Sequence, residues 1–352
     1  MDAKLVRSVD KANMFGVLRN FHAQVKAAIN IGSKADLTKF DKYSMRNIII
    51  TGLGGSAIGG DLIRSYTQYE GKIPVFVNRN YTLPSFAGTG TLVIVSSYSG
   101  NTEETTSAYL HAIENKCSII CITSGGEVEK IAKKNKHTLI KIPGGLQPRC
   151  ALGYSFFVLY SVFAKLGIIK YNTKDLDSTL QLIENTAGEY TNLSIDQNRA
   201  LKIALAIKGK LPVIYSSADL LDVVNLRWRA QLSENAKILA YGNLYPEMNH
   251  NELVGWKLNE DILKKIVVIY LRDDEDNERI KLRMDITSGI IGKYSDNVIN
   301  ISSDAKGKLE RIFDLVYLGD WVSFYLAILN GVDPTPVDII SFLKKKLERI
   351  RL

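Results

Sequence analysis

Asn47-Ile-Ile-Ile-Thr-Gly-Leu-Gly-Gly-Ser-Ala-Ile-Gly-Gly-Asp61 is the stretch of this 352-residue chain from which its fold can be read. Ile48, Ile49 and Ile50 make a short β-branched run of the kind buried in a parallel sheet. The run stops at Gly52, Gly54 and Gly55, where the lack of a Cβ permits a tight turn and close approach of another group. Ser56 then falls where a helix begins, among free backbone N–H groups at the positive end of a helix dipole. Such a place suits an anion, above all a phosphate. A plain strand-to-helix turn has the same local pattern, so the stretch alone specifies strand and helix but no ligand.

Outward from it, residues 1–45 read as helical and partly amphipathic, with Phe21, Val25, Ala28 and Ile29 at helical spacing. Strands are expected at 47–51, 74–77, 91–96, 118–122 and 138–142, with helices reaching about 69 and 115 and another around 127–134. This alternation calls for a parallel sheet with helices on both faces. Ligands of such folds bind at the carboxyl ends of the strands.

A second loop, Ser97-Tyr-Ser-Gly-Asn-Thr-Glu-Glu-Thr105, follows the 91–96 strand. Ser97, Ser99 and Thr102 supply hydroxyls, Gly100 backbone freedom, and Thr102 is placed to cap the next helix. Hydroxyl clusters of this kind are commonly no more than caps and turn formers. Two glycine loops at two strand ends, one rich in hydroxyls, fit a phosphate cradle that needs no lysine. The Gly-Lys-Ser/Thr ending of a Walker loop is absent. Asn78 and Arg79 stand where a dinucleotide fold would carry an acidic residue, which weighs against NAD.

Arg149 follows Pro148, on stiff extended backbone, and is either a surface arginine or one aimed at an anion. Residues 170–200 are polar and read as a helical linker. Beyond it the α/β scheme returns: a helix at 198–208, a strand at 212–215, a helix at 226–239, a strand at 266–271, a helix at 276–291 and a strand at 297–301. A long apolar helix at 309–329 and a last amphipathic one close the chain. The expected division is 1–45 N-terminal helices, 46–155 first α/β domain, 156–200 linker, 201–305 second α/β domain and 306–352 C-terminal helices. Glu234 lies on the 226–239 helix among polar neighbours. His250 lies in the polar Pro246-Glu-Met-Asn-His-Asn-Glu-Leu253. Each is by itself an ordinary solvated side chain. Near a phosphate cradle, a carboxylate base and a His with a pKa near neutrality fit proton abstraction next to a sugar carbonyl.

Composition narrows the field. Lys and Arg number 45 against 37 Asp and Glu, a net charge of +8, but they are scattered rather than gathered into a nucleic-acid-binding stripe. Cys117, Cys121 and Cys150 are too few for a disulfide framework and have no zinc spacing, so they read as core thiols. With no charged-then-apolar leader and no run near the ~18 apolar residues of a membrane span, the expected location is the cytoplasm.

The chain resembles the sugar isomerase (SIS) family and, more closely, the archaeal and bacterial bifunctional phosphoglucose/phosphomannose isomerases. The two glycine loops carry the SIS likeness. Pro148-Arg149, Arg227-Trp228, Gln231, Glu234-Asn-Ala-Lys237, Pro246-Glu-Met-Asn-His-Asn-Glu-Leu-Val-Gly-Trp256, Tyr317-Leu-Gly-Asp320 and Gly331-Val-Asp-Pro-Thr-Pro-Val337 carry the closer one. The resemblance implies two SIS domains of flavodoxin-like, parallel-sheet α/β form with a C-terminal helical extension. It implies interconversion of fructose 6-phosphate with glucose 6-phosphate and mannose 6-phosphate through a cis-enediol, with no cofactor and no metal. Gly54, Gly55, Ser56, Ser97, Ser99 and Thr102 would hold the phosphate. Glu234 would be the base, and Arg149 would steady the enediolate. His250, from a neighbouring subunit of a homodimer, would assist ring opening. Lys344 would help it, with Lys345 and Lys346 as alternatives, and Thr335 would accommodate both C2 epimers. The rival readings are a non-catalytic SIS sensor of phosphosugars and a different SIS sugar-phosphate isomerase.

Overall fold

The structure is a computed structural model and describes residues 1–347. The chain opens with α1 (Ala3–Val9), α2 (Met14–Arg19) and α3 (Phe21–Ser33). Next come β1 (Asn47–Thr51), α4 (Gly55–Thr67), β2 (Val75–Asn78), β3 (Thr91–Ser97), α5 (Glu103–Glu114), β4 (Ser118–Thr123), α6 (Gly126–Asn135) and β5 (Thr138–Lys141). These strands make one parallel sheet in the order β2-β1-β3-β4-β5, the flavodoxin order. Its centre is the pairing of β1 with β3, Ile49 opposite Val93, and both runs are fully buried. That burial on both faces is why β1 and β3 are continuous apolar runs rather than alternating ones.

Two helices join the halves: α7 (Leu152–Lys165) and α8 (Thr173–Tyr190). α9 (Arg199–Ile207), β6 (Leu211–Ser217), α10 (Asp222–Ala236), β7 (Tyr241–Tyr245), α11 (Glu260–Leu263), β8 (Ile266–Arg272), α12 (Glu278–Ile291) and β9 (Val298–Ser302) build the second sheet. It too is parallel, in the order β7-β6-β8-β9. This is the first sheet's order without its fifth strand, so the α/β unit expected twice is present twice. α13 (Lys308–Leu329) and α14 (Asp338–Leu347) end the described residues.

Within the stretch expected to be a helical linker, residues 173–190 form α8, which packs against α13 and buries Leu176, Ile183 and Tyr190. α13 is long and apolar enough to cross a membrane, yet 94% of its most apolar stretch is buried inside the protein. It packs against α8, α9 and α10 as the central helix of the core between the sheets. There Phe313, Tyr317 and Trp321 meet Phe21, Phe156, Phe157 and Tyr190 in a run of stacked and edge-on rings.

Two differences from the expected elements bear on the site. α10 begins at Asp222, a full turn earlier than its apolar pattern suggests, and β7 is a strand in a stretch expected to have none. α4 and α10 lie antiparallel across the interface. Ser65 and Arg64, late in α4, bond Asp222 at the start of α10, while Gly54 and Gly55 share a cavity with Glu234 near its end.

Candidate active site

The two glycine loops come together at the carboxyl ends of β1 and β3. Gly54, with φ +53°, precedes α4. A Cβ on Gly55 would stand 2.6 Å from the carbonyl oxygen of Pro148, so only glycine lets α4 begin against the turn that carries Arg149. The Ser56 hydroxyl accepts the Tyr98 N–H at 3.2 Å. Tyr98 in turn accepts Leu146 N–H through its hydroxyl and Ser124 through its carbonyl, tying the neighbouring strand-end loops together. Gly100 turns at φ +71°, where any Cβ would collide with Gly125. Its N–H donates to Ser97 Oγ at 3.1 Å, and Ser97 Oγ donates to Thr102 Oγ1 at 3.4 Å. Ser99 is exposed at the mouth and accepts from Asn101 N–H.

Thr102 occupies the position before α5 but its hydroxyl makes no capping bond. It faces Ser97 instead, because the turn at Gly100 brings the two side chains together. Ser97 and Ser99 accept turn N–H groups, and the Thr102 hydroxyl is turned to Ser97 rather than to the helix. The hydroxyls lie at the carboxyl ends of β1 and β3, close to the starts of α4 and α5, where backbone N–H groups and the positive ends of the helix dipoles gather.

Arg149 reaches from this region into the second half. Its Nε donates to Asn235 Oδ1 at 2.7 Å, its Nη2 to the carbonyls of Pro334 and Thr335 at 2.7 and 2.8 Å, and its Nη1 lies 3.5 Å from Glu234 Oε2. The guanidinium is 4% exposed and the Glu234 side chain 31%. Arg149 is thus no surface arginine. It is a fixed cation whose remaining edge faces a half-open carboxylate. Beneath it, Arg227 donates to the Arg149 carbonyl and pairs with Asp320, which also accepts from Gln231. Burial pushes the Asp320 carboxyl above its ordinary pKa, against the pull of Arg227 and Gln231. Burial likewise pushes the neighbouring Cys150 thiol up to about 11.

Gly54, Gly55, Arg79, Arg149, Gln231 and Glu234 all line one cavity of about 150 Å³. Glu234 also lines a larger one of about 580 Å³ with Lys237, Asp333, Pro336 and Ile340. The carboxylate stands between the Gly54-Gly55 loop and the 331–337 turn.

His250 is elsewhere. It ends an exposed turn after the cis Tyr245–Pro246 peptide, beyond the carboxyl end of β7. Glu234 is in the last turn of α10, which runs back to the opposite, amino end of that strand. A five-residue strand is about 16 Å long, so the two side chains of one chain do not meet. Lys344 is exposed on α14 and lines neither cavity with Glu234. Thr335 is joined to the site through its carbonyl, and its hydroxyl is buried with no protein partner.

Comparison with known proteins places the chain in a family. Residues 43–163 match the model of the SIS domain, and residues 196–347 match that of the bacterial phospho-glucose isomerase C-terminal SIS domain. The bifunctional phosphoglucose/phosphomannose isomerase of Caldicellulosiruptor bescii is 42% identical, over 96% of this chain and all of its own. The chain belongs to the bifunctional phosphoglucose/phosphomannose isomerase family. The family's representative from Aquifex aeolicus is 36% identical over 89% of this chain and 94% of its own length. In fold the chain is similar to the C-terminal domain of glucosamine-fructose-6-phosphate aminotransferase from Francisella tularensis, with TM-score 0.66 and 17% identity, covering 90% of this chain and 97% of that one.

Several residues around this candidate site escaped the sequence reading as site residues. Arg79 lines the smaller cavity from the end of β2 and pairs with Asp61. Its position at a strand end was the available signal. Asn235 and Asp320 lie within the family motifs, but only the fold gives them partners 86 and 93 residues away.

Proposed function

We propose that this chain is an aldose–ketose isomerase that interconverts fructose 6-phosphate with glucose 6-phosphate and with mannose 6-phosphate. The observation that carries this reading is that Glu234, 3.5 Å from the Arg149 guanidinium, lines the same cavity as Gly54 and Gly55 of the phosphate loop. A substrate anchored by its phosphate would present its other end to a base and a fixed cation.

In this reading Ser56, Ser97, Ser99 and Thr102 hold the 6-phosphate, with the backbone N–H groups at the starts of α4 and α5. The Glu234 carboxylate takes a proton from C1 or C2 of the open-chain sugar and returns it to the other carbon. Arg149 stabilises the oxyanion that develops on the cis-enediol between the two steps. A guanidinium already fixed by Asn235, Pro334 and Thr335 needs no reorganisation to do so. The planar enediol has lost the C2 configuration. Rotation about C2–C3 then lets protonation give either epimer, and the unpartnered Thr335 hydroxyl is a donor for the second pose.

Ring opening needs an acid–base group near the sugar oxygen, the role of His250, with Lys344 as its helper. Since His250 lies about a strand's length from Glu234 of its own chain, a second copy is its source, and the enzyme is a cytoplasmic homodimer with shared sites. Each half, 46–155 and 201–305, contributes one SIS domain, with 1–45, 156–200 and 306–352 as the helical parts. Positions 348–352 of the last lie outside the described residues.

A coupled assay supplied separately with glucose 6-phosphate and mannose 6-phosphate tests the proposal. Both are expected to yield fructose 6-phosphate. If only glucose 6-phosphate reacts, the bifunctional reading fails and the isomerase survives. If neither reacts while fructose 6-phosphate binds, the chain is a phosphosugar-binding protein.

A further inference from the structure

The 331–337 turn, Gly331-Val-Asp-Pro-Thr-Pro-Val337, is tied to the end of α13 where Gly331 and Val332 donate to Ile328 and Ala327, but its middle, which carries Thr335 to the site, has little means of holding itself there. Pro334 and Pro336 have no backbone N–H. The Thr335 N–H is taken within the turn by Asp333 Oδ1 at 2.9 Å. The backbone handles left to 334–336 are its three carbonyls, and two cations hold all three. Arg149 takes those of Pro334 and Thr335, at 2.7 and 2.8 Å. Lys237 Nζ takes that of Pro336 at 2.6 Å and shares that of Pro334 at 3.4 Å. Its third donor goes to the carbonyl of Glu234 itself. One ammonium thereby spends its three N–H donors on three carbonyls, two on the turn and one on the residue read above as the base.

We propose that Lys237 is a positioning residue for the isomerisation: it fixes the spacing between Glu234 and Thr335, and so sets how product partitions between the two C2 epimers. This rests on the isomerase reading above. Lys237 follows the last residue of α10 in left-handed backbone, φ +59°. Glycine is the residue usually found at such helix ends. Left-handed geometry alone proves nothing, since Lys136 ends α6 at φ +57° as well. What separates Lys237 is where its side chain goes. It crosses to a turn almost a hundred residues away, beside a carboxylate that lines cavities on both of its sides. The ammonium is partly desolvated and stands near Arg149, both of which lower its pKa, with Asp333 and Glu234 acting the other way. A lysine that merely decorated the surface would turn to water.

The position allows an unusually clean variant. Lys237→Gly removes the ammonium while relieving the backbone, so the fold is retained. Fructose 6-phosphate is given to wild type, Lys237→Gly and Lys237→Arg, and the initial ratio of glucose to mannose 6-phosphate is measured with kcat and KM. Amide hydrogen exchange over 331–341 is followed in parallel. In Lys237→Gly the product ratio is expected to change at least threefold and kcat to fall about tenfold, with KM within a factor of two. Exchange over 331–341 rises, and Lys237→Arg moves part-way back on every measure. Faster exchange with an unchanged product ratio overturns the proposal, because Lys237 would then be a structural staple only. Unchanged exchange overturns it as well. Wild-type enzyme that yields no aldose phosphate refutes the isomerase reading instead, whatever exchange does in the variants.

Discussion

Arg149 and Asn235, 86 positions apart, are joined by a buried 2.7 Å hydrogen bond that puts the guanidinium beside Glu234. The bond ties the turn behind the first sheet's glycine loops to the end of the helix bearing the carboxylate. The remaining guanidinium bonds, to Pro334 and Thr335, draw in a third segment. The site is therefore assembled by one planar cation whose fork has partners on every side.

Replacing Arg149 with lysine keeps the charge and loses the fork. An ammonium cannot reach Asn235, Pro334, Thr335 and the Glu234 carboxylate together. Arg149→Lys is expected to lower kcat/KM for fructose 6-phosphate by about 10²–10³, the range for losing one preorganised oxyanion donor. Most of the loss should fall in kcat, because the phosphate loops are untouched. Steady-state kinetics check both the size and the split.

The separation of His250 from Glu234 gives a prediction that needs no further structure. Glu234→Gln and His250→Asn homodimers should each be inactive. Mixed under conditions that exchange subunits, half the dimers become hybrids, each with one doubly damaged site and one intact site. Activity should recover to about a quarter of wild type. No recovery, with hybrid formation demonstrated by mass spectrometry, would show that His250 acts within its own chain.

The Arg227–Asp320 pair, with side chains 3% and 5% exposed, lies under the Arg149 carbonyl. Asp320→Ala strands a buried guanidinium and should cost about 3–5 kcal/mol of stability. Glu260→Ala breaks an exposed pair with Lys264 and should cost less than ~1 kcal/mol. Urea denaturation of both variants beside wild type measures the difference.

The first sheet was legible because its strands are buried on both faces. Runs such as 48–50 and 92–95 have no other reading in a chain with helices between them. The two glycine loops were legible as strand-end turns for a related reason: glycine and hydroxyls at strand ends are local signals. β7 was not, since Tyr241-Gly-Asn-Leu-Tyr245 is a short edge strand containing two residues that strands disfavour. α8 was legible as a helix, but its packing was not, because its polar face hides the recurrence of Leu176, Ile183 and Tyr190 on the other. The link from Arg149 to Asn235 leaves no local trace, because it depends on how two sheets meet. Substrate sites in α/β folds are expected at strand carboxyl ends, where the two glycine loops lie. Glu234 does not, lying at the amino end of the second sheet, because α4 and α10 pack antiparallel.

The central claim is that one carboxylate serves both epimers. It is tested by Glu234→Gln, which keeps the size of the side chain and its contact with Arg149 but removes the base. Turnover of fructose 6-phosphate to glucose 6-phosphate and to mannose 6-phosphate is measured in the same samples, and binding by calorimetry. Both rates are expected to fall together by about 10³ or more while fructose 6-phosphate binds within about threefold of wild type, the size of a lost general base. Retained turnover to either aldose phosphate would contradict it.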